Sequence, residues 1–418
     1  MTDVAPPRGT QDLLPPSSDG LLAVIDAAHE IARLYGYRYV ETPTFERTEV
    51  FERTSGGSSD VVTKEMYTFE DKGGRSLTLK PESTAPVVRA YLANRQALPS
   101  PFKAYYVEKN WRHGRPQAGR LREFRVFGIE VLGSAGPGPD VEVIAVAHRF
   151  LRAQGLSGLT LHLNSIGDEV CRPRFREDLV AFLEPREDRL DREHRETWRR
   201  NPLRVLDCTS PECRAATEEA PRILDYLDQA CREHFEGVRA GLDEEGVGYE
   251  LDHRLVRGLD YYTRTTFEFV SGALSPAQAT VCGGGRYDGL AQVLGGEPTP
   301  GVGFGLGIDR LLLAAVEEGV VRPDPRAARC YVVALGEEGR HEGRALLREL
   351  RDAGIPADAS LEDRPLKAQL RMADRSGAPY AALLGERELR EGTVTMRRLA
   401  DGEQEIVPRG EVGAWLSR

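Results

Sequence analysis

The sequence predicts three parts. A large domain mixing strands and helices covers residues 1–167 and 246–322, a helical insertion at 168–245 interrupts it, and a small α/β domain covers 326–418. Three observations support this division. Strand-like and helical runs alternate through the first part; Glu, Asp and Arg crowd residues 168–245; and after Pro323-Asp324-Pro325 the pattern becomes strand, helix, strand.

In chain order, residues 1–20 are rich in Pro, Gly and Ser and read as irregular. Leu21 to Tyr35 has helical spacing and stops at Gly36, a C-cap residue. Tyr37 to Thr42 reads as a strand ended by Pro43. Ser76 to Lys80 alternates as a strand and runs through Pro81-Glu82-Ser83-Thr84 into a helix from Ala85 to Leu92, with Thr84 a candidate cap. Phe102 to Val107 and Phe124 to Val131 read as two strands of a hairpin. The loop between them carries Arg112, Arg115, Arg120 and Arg122 and almost no apolar bulk. Four guanidinium groups repel one another, so this loop points to an anionic ligand such as phosphate.

In the insertion, helical spacing shows at Phe182-Leu183 and at Ile223-Leu224 with Tyr226-Leu227. Cys208 and Cys213, then Cys231 and His234, offer metal ligands. Their spacing is not a clean pair of two-residue knuckles, so ordinary thiols are the preferred reading and no side chain is assigned to a metal. Strand signals resume at Tyr249-Glu250-Leu251 and lead into Leu255-Val256-Arg257-Gly258-Leu259-Asp260-Tyr261-Tyr262-Thr263-Arg264. The following Thr265 to Val270 is β-branched and aromatic, so the run reads as a strand. Charge of this density on a buried strand points to a polar ligand; Asp260 and Arg264 are expected to pair with each other.

Gly283-Gly284-Gly285-Arg286-Tyr287-Asp288-Gly289-Leu290 follows, and Gly301-Val302-Gly303-Phe304-Gly305-Leu306-Gly307 leads into a buried helix at Leu311 to Val316. Neither a dinucleotide fingerprint nor a phosphate loop ending in Gly-Lys-Ser/Thr is present, so a bound nucleotide would have its phosphates held by arginines. In the last part, Cys330 to Leu335 and Tyr380 to Leu384 read as strands, with helices at His341 to Ala353 and Leu366 to Arg375. Asp401-Gly402 marks a hairpin turn, and a short helix closes the chain.

Composition limits the function. A chain of 418 residues, 40% hydrophobic, can bury a sizeable core in two or three domains. Its net charge of −10 argues against a basic coat but leaves room for a local nucleic-acid site. No apolar run reaches membrane-spanning length, the first residues lack a signal-peptide core, and six scattered cysteines make no disulfide framework. The expected location is the cytoplasm, away from membranes.

These motifs resemble the class II aminoacyl-tRNA synthetases, specifically the histidyl-tRNA synthetase family, over essentially the whole chain. Leu255 to Arg264 and Gly283 to Leu290 look like that family's two histidine-specific signatures. Leu79-Lys80-Pro81-Glu82-Ser83-Thr84-Ala85 resembles its amino-acid loop, with Ser83 where Gly is usual. Residues 111–130 resemble class motif 2, Gly303 to Arg310 motif 3, and Glu41-Thr42-Pro43 lies in a segment resembling motif 1, which in this class is at a dimer interface. Residues 326–418 resemble an anticodon-binding domain.

The resemblance implies an α+β catalytic domain on a mostly antiparallel sheet, a homodimer, and ATP, Mg²⁺, L-histidine and histidine tRNA as substrates and partners. The implied reaction forms histidyl-adenylate and passes the histidyl group to the tRNA 3′ end. It makes Arg112 and Arg257 the cations at the α-phosphate, with Arg120 and Arg310 on the outer phosphates. Histidine would be held by Glu82, Thr84, Arg112, Glu130, Arg257, Tyr261, Tyr262 and Tyr287. Gln117 and Arg122 would face the tRNA acceptor end.

Two positions depart from the family pattern. Gly114 stands where motif 2 carries a glutamate, and Val126 where a glutamine is usual. Losing a polar contact costs on the order of 0.5–1.5 kcal/mol, which predicts weaker substrate binding, not an inactive protein. The alternative is a regulatory subunit of ATP phosphoribosyltransferase in histidine biosynthesis. Such paralogues usually lack the C-terminal domain and carry degraded signatures, whereas here both signatures and residues 326–418 are present. A third possibility, a general RNA-binding paralogue using the basic loop, has no feature in its favour.

Overall fold

The computed structural model describes residues 5–54, 65–116, 119–256, 261–276, 278–320 and 328–417. The chain divides into two compact units, residues 1–321 and 322–418. The strands of the first unit are β1 (Arg38–Tyr39), β2 (Phe45–Arg47), β3 (Tyr67–Glu70), β4 (Ser76–Leu79), β5 (Phe102–Trp111), β6 (Glu123–Leu132), β7 (Leu159–Ser165), β8 (Glu250–Leu251), β9 (Thr263–Ser271), β10 (Thr280–Arg286) and β11 (Gly301–Gly307). Those of the second are β12 (Cys330–Ala334), β13 (Ala357–Ala359), β14 (Tyr380–Leu384), β15 (Thr393–Arg398) and β16 (Gln404–Pro408).

Eight strands of the first unit form one sheet in the order β1-β5-β6-β11-β10-β9-β7-β8. The central pairings are antiparallel, and only the outermost, β1 with β5 and β7 with β8, are parallel. The expected mostly antiparallel α+β domain is therefore what the chain forms. A separate three-stranded sheet runs β2-β4-β3.

The alternation along β11 explains the shape of the large sheet. Val302, Phe304 and Leu306 enter a core shared with Phe127, Ile129 and Val131 of β6 and Phe267 and Phe269 of β9. The helices Ser17–Leu34, Gly138–Ala153, Gln229–Glu244 and Ile308–Glu317 cover that core with Val24, Ile144, Phe150, Val238 and Leu311. A strand period of two puts Gly301, Gly303, Gly305 and Gly307 on the opposite face. A second cluster lies there, with Tyr106, Val126, Tyr261, Tyr262 and Tyr287 packed near Val87, Val88 and Tyr91 of the helix Thr84–Asn94. One face is a conventional core; the other has a floor of glycine.

The insertion has its own core, including Phe175, Leu179, Leu183, Trp198, Leu206 and Ile223. The helix Gln229–Glu244, inside the span predicted for the insertion, packs instead on the main core through Phe235, Val238 and Leu242. The stretch Leu255 to Arg264 becomes strand only at Thr263. Arg264 has a φ of 51° and pairs with Asp168 at 3.5 Å; Asp260, its expected partner, lies outside the described residues.

Arg286 shows why a charged residue sits in the second glycine-rich signature. Fully buried, it pairs with Asp140 and Asp288 and donates to the carbonyls of Ser134 and Gly136 at 3.1 and 2.8 Å. His234 Nε2 adds a contact to Asp140 at 3.3 Å. This network ties β10 to the start of the helix Gly138–Ala153. A buried charge is tolerated because every side of it is answered.

In the second unit the sheet order is β13-β12-β14-β15-β16, parallel around β12 and antiparallel beyond β14. Helix Leu366–Arg375 falls where the sequence predicts it, and the helix expected from His341 begins earlier, giving Gly336–Asp352. Gly402, at φ +78°, makes the predicted turn between β15 and β16. The Pro323-Asp324-Pro325 linker lies outside the described residues.

Candidate active site

The glycine face opens into a cavity of about 390 Å³, a volume within the range of small-ligand sites. Gly283, Gly305 and Gly307 line it together with Glu82, Thr84, Tyr106, Arg112, Arg120, Tyr261, Tyr262 and Arg310. The glycines are there because neighbouring side chains lie flat on the sheet. A Cβ at Gly128 would overlap the Tyr106 ring, one at Gly301 the Tyr287 ring, and one at Gly303 the carboxylate of Glu130. Gly285 leaves room for Tyr262, whose ring would stand 3.0 Å from a Cβ there.

Glu130 lies just behind this lining, fully buried. Tyr106 donates to its Oε1 at 3.1 Å, and the Tyr287 hydroxyl donates to Oε2. Burial raises its pKa from 4.5 to about 8, against hydrogen bonds from Tyr287, Thr84 and Tyr106 that favour the charged form. The carboxyl is therefore mostly protonated at neutral pH in the ligand-free protein. Because the folded value lies above the unfolded one, the resulting stability is fully present below about pH 4.5 and is lost as pH rises through about 8. The ligand-free protein is expected to lose stability relative to a Glu130→Gln variant between pH 6 and 9, by up to about 1.4 kcal/mol per unit. Denaturant titrations of the two proteins across that range should diverge; parallel curves would contradict this assignment.

Glu82 does what the sequence suggested for Thr84. Its carboxylate accepts the Thr84 and Ala85 amides at 2.7 and 3.0 Å, capping the helix Thr84–Asn94, where Thr84 itself makes no cap. Burial raises the Glu82 pKa, partly offset by those amides and by Arg112. The Thr84 hydroxyl is thereby free of capping duty and lies near enough to Glu130, Tyr106 and Tyr261 to lower the pKa of each.

Four arginines line the cavity, and Arg125 alone among them pairs with Asp309, at 3.2 Å. Arg112 is anchored through Nε to the Pro81 carbonyl at 2.8 Å and lies over the Phe124 ring. Arg310 reaches in from the first turn of Ile308–Glu317, held by the Thr280 carbonyl at 2.7 Å. Burial lowers its pKa, and the charges of Arg120 and Arg112 lower it further. Such a site favours an anion. One further member, Glu65, carries no signal in the sequence. Its backbone carbonyl accepts the His113 amide at 2.8 Å, and its carboxylate pairs with Arg120 at 3.0 Å. Glu65 Oε1 stands 3.4 Å from where a Cβ of Gly114 would be. A carboxylate thus occupies the place that Gly114 left open, delivered from β3's side of the chain. A spacing rule could not have found it.

The cavity gathers Glu82, Thr84, Arg112, Arg120, Tyr261, Tyr262 and Arg310, with Glu130 and Tyr287 behind them. Arg122 is engaged inside the loop, its Nε donating to the Gly114 carbonyl at 3.3 Å and its amide to Gly9 at 2.7 Å. Arg257 and Gln117 lie outside the described residues. Val126, the second departure, lines the cavity as a small apolar wall. Cys231 and His234 do not join Cys208 and Cys213: Cys231 donates to Asp168 at 3.0 Å, and His234 contacts Asp140.

Comparison with known proteins shows the family of the chain. The family described as histidyl-tRNA synthetase matches residues 9–311, and the anticodon binding domain family matches residues 329–418. A histidine–tRNA ligase of Pelotomaculum thermopropionicum is 46% identical over 96% of this chain and 94% of its own length. One of Anoxybacillus flavithermus is 47% identical over 96% of both. The structure of apo S. aureus histidyl-tRNA synthetase superposes with a TM-score of 0.80 at 35% identity, covering 99% of this chain and 100% of that one.

Proposed function

Because the chain belongs to the histidyl-tRNA synthetase family, we propose that the cavity on the glycine face is where histidine and ATP meet. The protein is an aminoacyl-tRNA ligase for histidine. The histidine carboxylate attacks the α-phosphorus of ATP, pyrophosphate leaves, and the tRNA 3′ hydroxyl then takes the histidyl group from the adenylate. One observation carries the placement of this chemistry: Arg112, Arg120 and Arg310 share a single cavity with Glu82, Thr84 and the tyrosines in front of Glu130.

No side-chain nucleophile is needed. The protein holds two anions in line and answers the charge that grows on the phosphate oxygens. Arg112 serves the α-phosphate and Arg257 is its partner cation, while Arg120 and Arg310 hold the outer phosphates. The lining carboxylates are already engaged: Glu82 by two amides and Asp309 by Arg125 at 3.2 Å. Mg²⁺ would therefore be carried mainly by the phosphates, as is usual for that ion, where it neutralises their charge. Glu82 and Thr84 receive the histidine ammonium. Glu130 and Tyr262 read the imidazole, with Tyr261 and Tyr287 closing the pocket; such a donor–acceptor pair rejects rings that cannot hydrogen-bond. Gln117 and Arg122 face the tRNA acceptor end, and the second unit takes the anticodon.

A homodimer fits the exposed apolar side chains of the motif 1 region. Tyr39 lies on edge strand β1, and Phe45 and Phe69 make an edge-to-face ring pair 6.2 Å apart on the small sheet. No helix among the described residues is long and apolar enough to cross a membrane, in keeping with a cytoplasmic enzyme. The regulatory-subunit reading is not favoured, since relatives 45–47% identical over nearly the full length carry the ligase name.

Charging of histidine tRNA with labelled histidine tests the function. Stable co-purification with ATP phosphoribosyltransferase and no charging would overturn it. A finer prediction concerns Gly114. The Glu65–Arg120 pair stands 3.3–3.5 Å from its would-be Cβ, so Gly114→Glu is expected not to lower the KM for ATP. Glu65→Ala is expected to raise that KM several-fold. Tighter ATP binding by Gly114→Glu would show the position to be vacant after all.

A further inference from the structure

The insertion brings four donor atoms to one point. Asp191 caps the helix Arg192–Thr197, its Oδ1 accepting the His194 amide at 2.8 Å, and this places the His194 ring beside it. Ser210 caps the short helix Pro211–Ala216, which carries Cys213 inward just after Cys208. From Asp191 Oδ2, His194 Nδ1 lies 3.0 Å away, Cys208 Sγ 3.1 Å and Cys213 Sγ 3.3 Å. All four donor atoms fall within 4.8 Å of one another.

Hydrogen bonding alone accounts poorly for this grouping. Two thiols and an imidazole nitrogen converge on one carboxylate, with Nδ1 3.0 Å from both of its oxygens and both sulfurs on Oδ2. A tetrahedral ion explains it better. With metal–sulfur bonds near 2.3 Å and metal–nitrogen or –oxygen bonds near 2.0 Å, ligand atoms stand roughly 3.3–3.8 Å apart. The three spacings from Asp191 Oδ2 are within a few tenths of an ångström of that shell.

The surroundings carry the complementary charge. An ion of charge +2 held by two thiolates, a carboxylate and a neutral imidazole leaves one net negative charge. Arg254 stands close enough for Cys208 and Cys213 to act on it electrostatically, and one of its terminal nitrogens is buried with no hydrogen-bond partner among the described residues. Its other end donates to Thr217 Oγ1 at 2.7 Å, which in turn donates to the Cys213 carbonyl at 2.7 Å. This chain of contacts links the cluster to the segment that leads into Leu255 to Arg264. The other candidate group, Asp168, Cys171, Asp228 and Cys231, is different: it holds no imidazole, and Asp168 is already paired with Arg264.

We propose that Asp191, His194, Cys208 and Cys213 bind one Zn²⁺ ion that closes the core of the insertion. Two thiolates with an imidazole select zinc over magnesium or calcium, and binding releases the two thiol protons. All four positions are filled by the protein, so the ion is structural. It sits among Leu190, Trp198, Leu206 and Ala216, where a small core gains most from a clasp.

The test is metal analysis of the full-length protein, purified under reducing conditions without chelator and then incubated with zinc and desalted. Wild type and Cys171→Ser should each hold one zinc per chain, and the double variant Cys208→Ser with Cys213→Ser almost none. Cobalt-loaded wild type should show a thiolate-to-metal charge-transfer band that this double variant lacks. Wild type that retains no zinc would overturn the proposal. So would a double variant that keeps its zinc, or a Cys208–Cys213 disulfide in the reduced protein. Should the double variant fail to fold, the zinc count and cobalt spectrum of wild type decide the matter alone.

Discussion

Arg112→Ala is expected to lose histidine-dependent ATP–pyrophosphate exchange by about 10²–10³-fold in kcat, the usual scale for removing one preorganised charge-stabilising group. The size follows from how the side chain is held. Its Nε is committed to the Pro81 carbonyl and its plane lies over Phe124, while among the described residues no hydrogen bond competes for its terminal nitrogens. Burial lowers its pKa, with Glu65 and Glu82 pulling it back up, and an arginine so placed remains charged at neutral pH. Arg112→Lys should recover little, because an ammonium cannot keep both the carbonyl and the phosphate. Unchanged thermal unfolding with collapsed kcat is the expected pattern. A kcat within threefold of wild type would remove Arg112 from the reaction.

Gly303→Ala is expected to be nearly as damaging, for a steric reason. Gly303 pairs with Glu130 across β6 and β11, and a Cβ there would overlap both the Glu130 carboxylate and the Ile129 carbonyl. Overpacking of this kind costs about 1–3 kcal/mol, and relief requires Glu130 to move off Tyr106 and Tyr287. The KM for histidine should rise steeply while the KM for ATP changes less. Gly305→Ala is the control on the same strand, since its Cβ would meet only Val126 at 3.6 Å. Steady-state exchange kinetics of the two variants distinguish them. Wild-type histidine kinetics in Gly303→Ala would mean that Glu130 does not read the imidazole.

Much of this site was legible in the chain because its residues are chemically out of place. Arginines in a loop with no apolar bulk, and glycines alternating with Val302, Phe304 and Leu306, have few other uses. The reason for the glycines was not legible, since it depends on which neighbouring side chain lies across each one, Glu130 over Gly303 and Tyr287 over Gly301. Glu65 stayed hidden for the same reason: its partner Arg120 is far away in sequence and close only after folding. Where the insertion rejoins the main domain is not legible, because the apolar stripe of Gln229–Glu244 reads the same whether it packs within the insertion or on the main sheet. Helix Gly138–Ala153 and strand β7, which supply Phe150 and Leu163 to the core, are not among the elements the sequence predicts. Asp191 and His194 are not legible as companions of Cys208 and Cys213, because the gap between the pairs follows no familiar metal-binding spacing.

The central claim is that this one cavity activates histidine with ATP despite Gly114 and Val126. Pyrophosphate exchange by the wild-type protein, run separately with histidine and with each other amino acid at saturating ATP, tests it most directly. The account predicts robust exchange with histidine alone, with an elevated KM for histidine from Val126 as the only sign of the departures, since Glu65 stands in beside Gly114. Absence of histidine-dependent exchange at saturating substrates would contradict it.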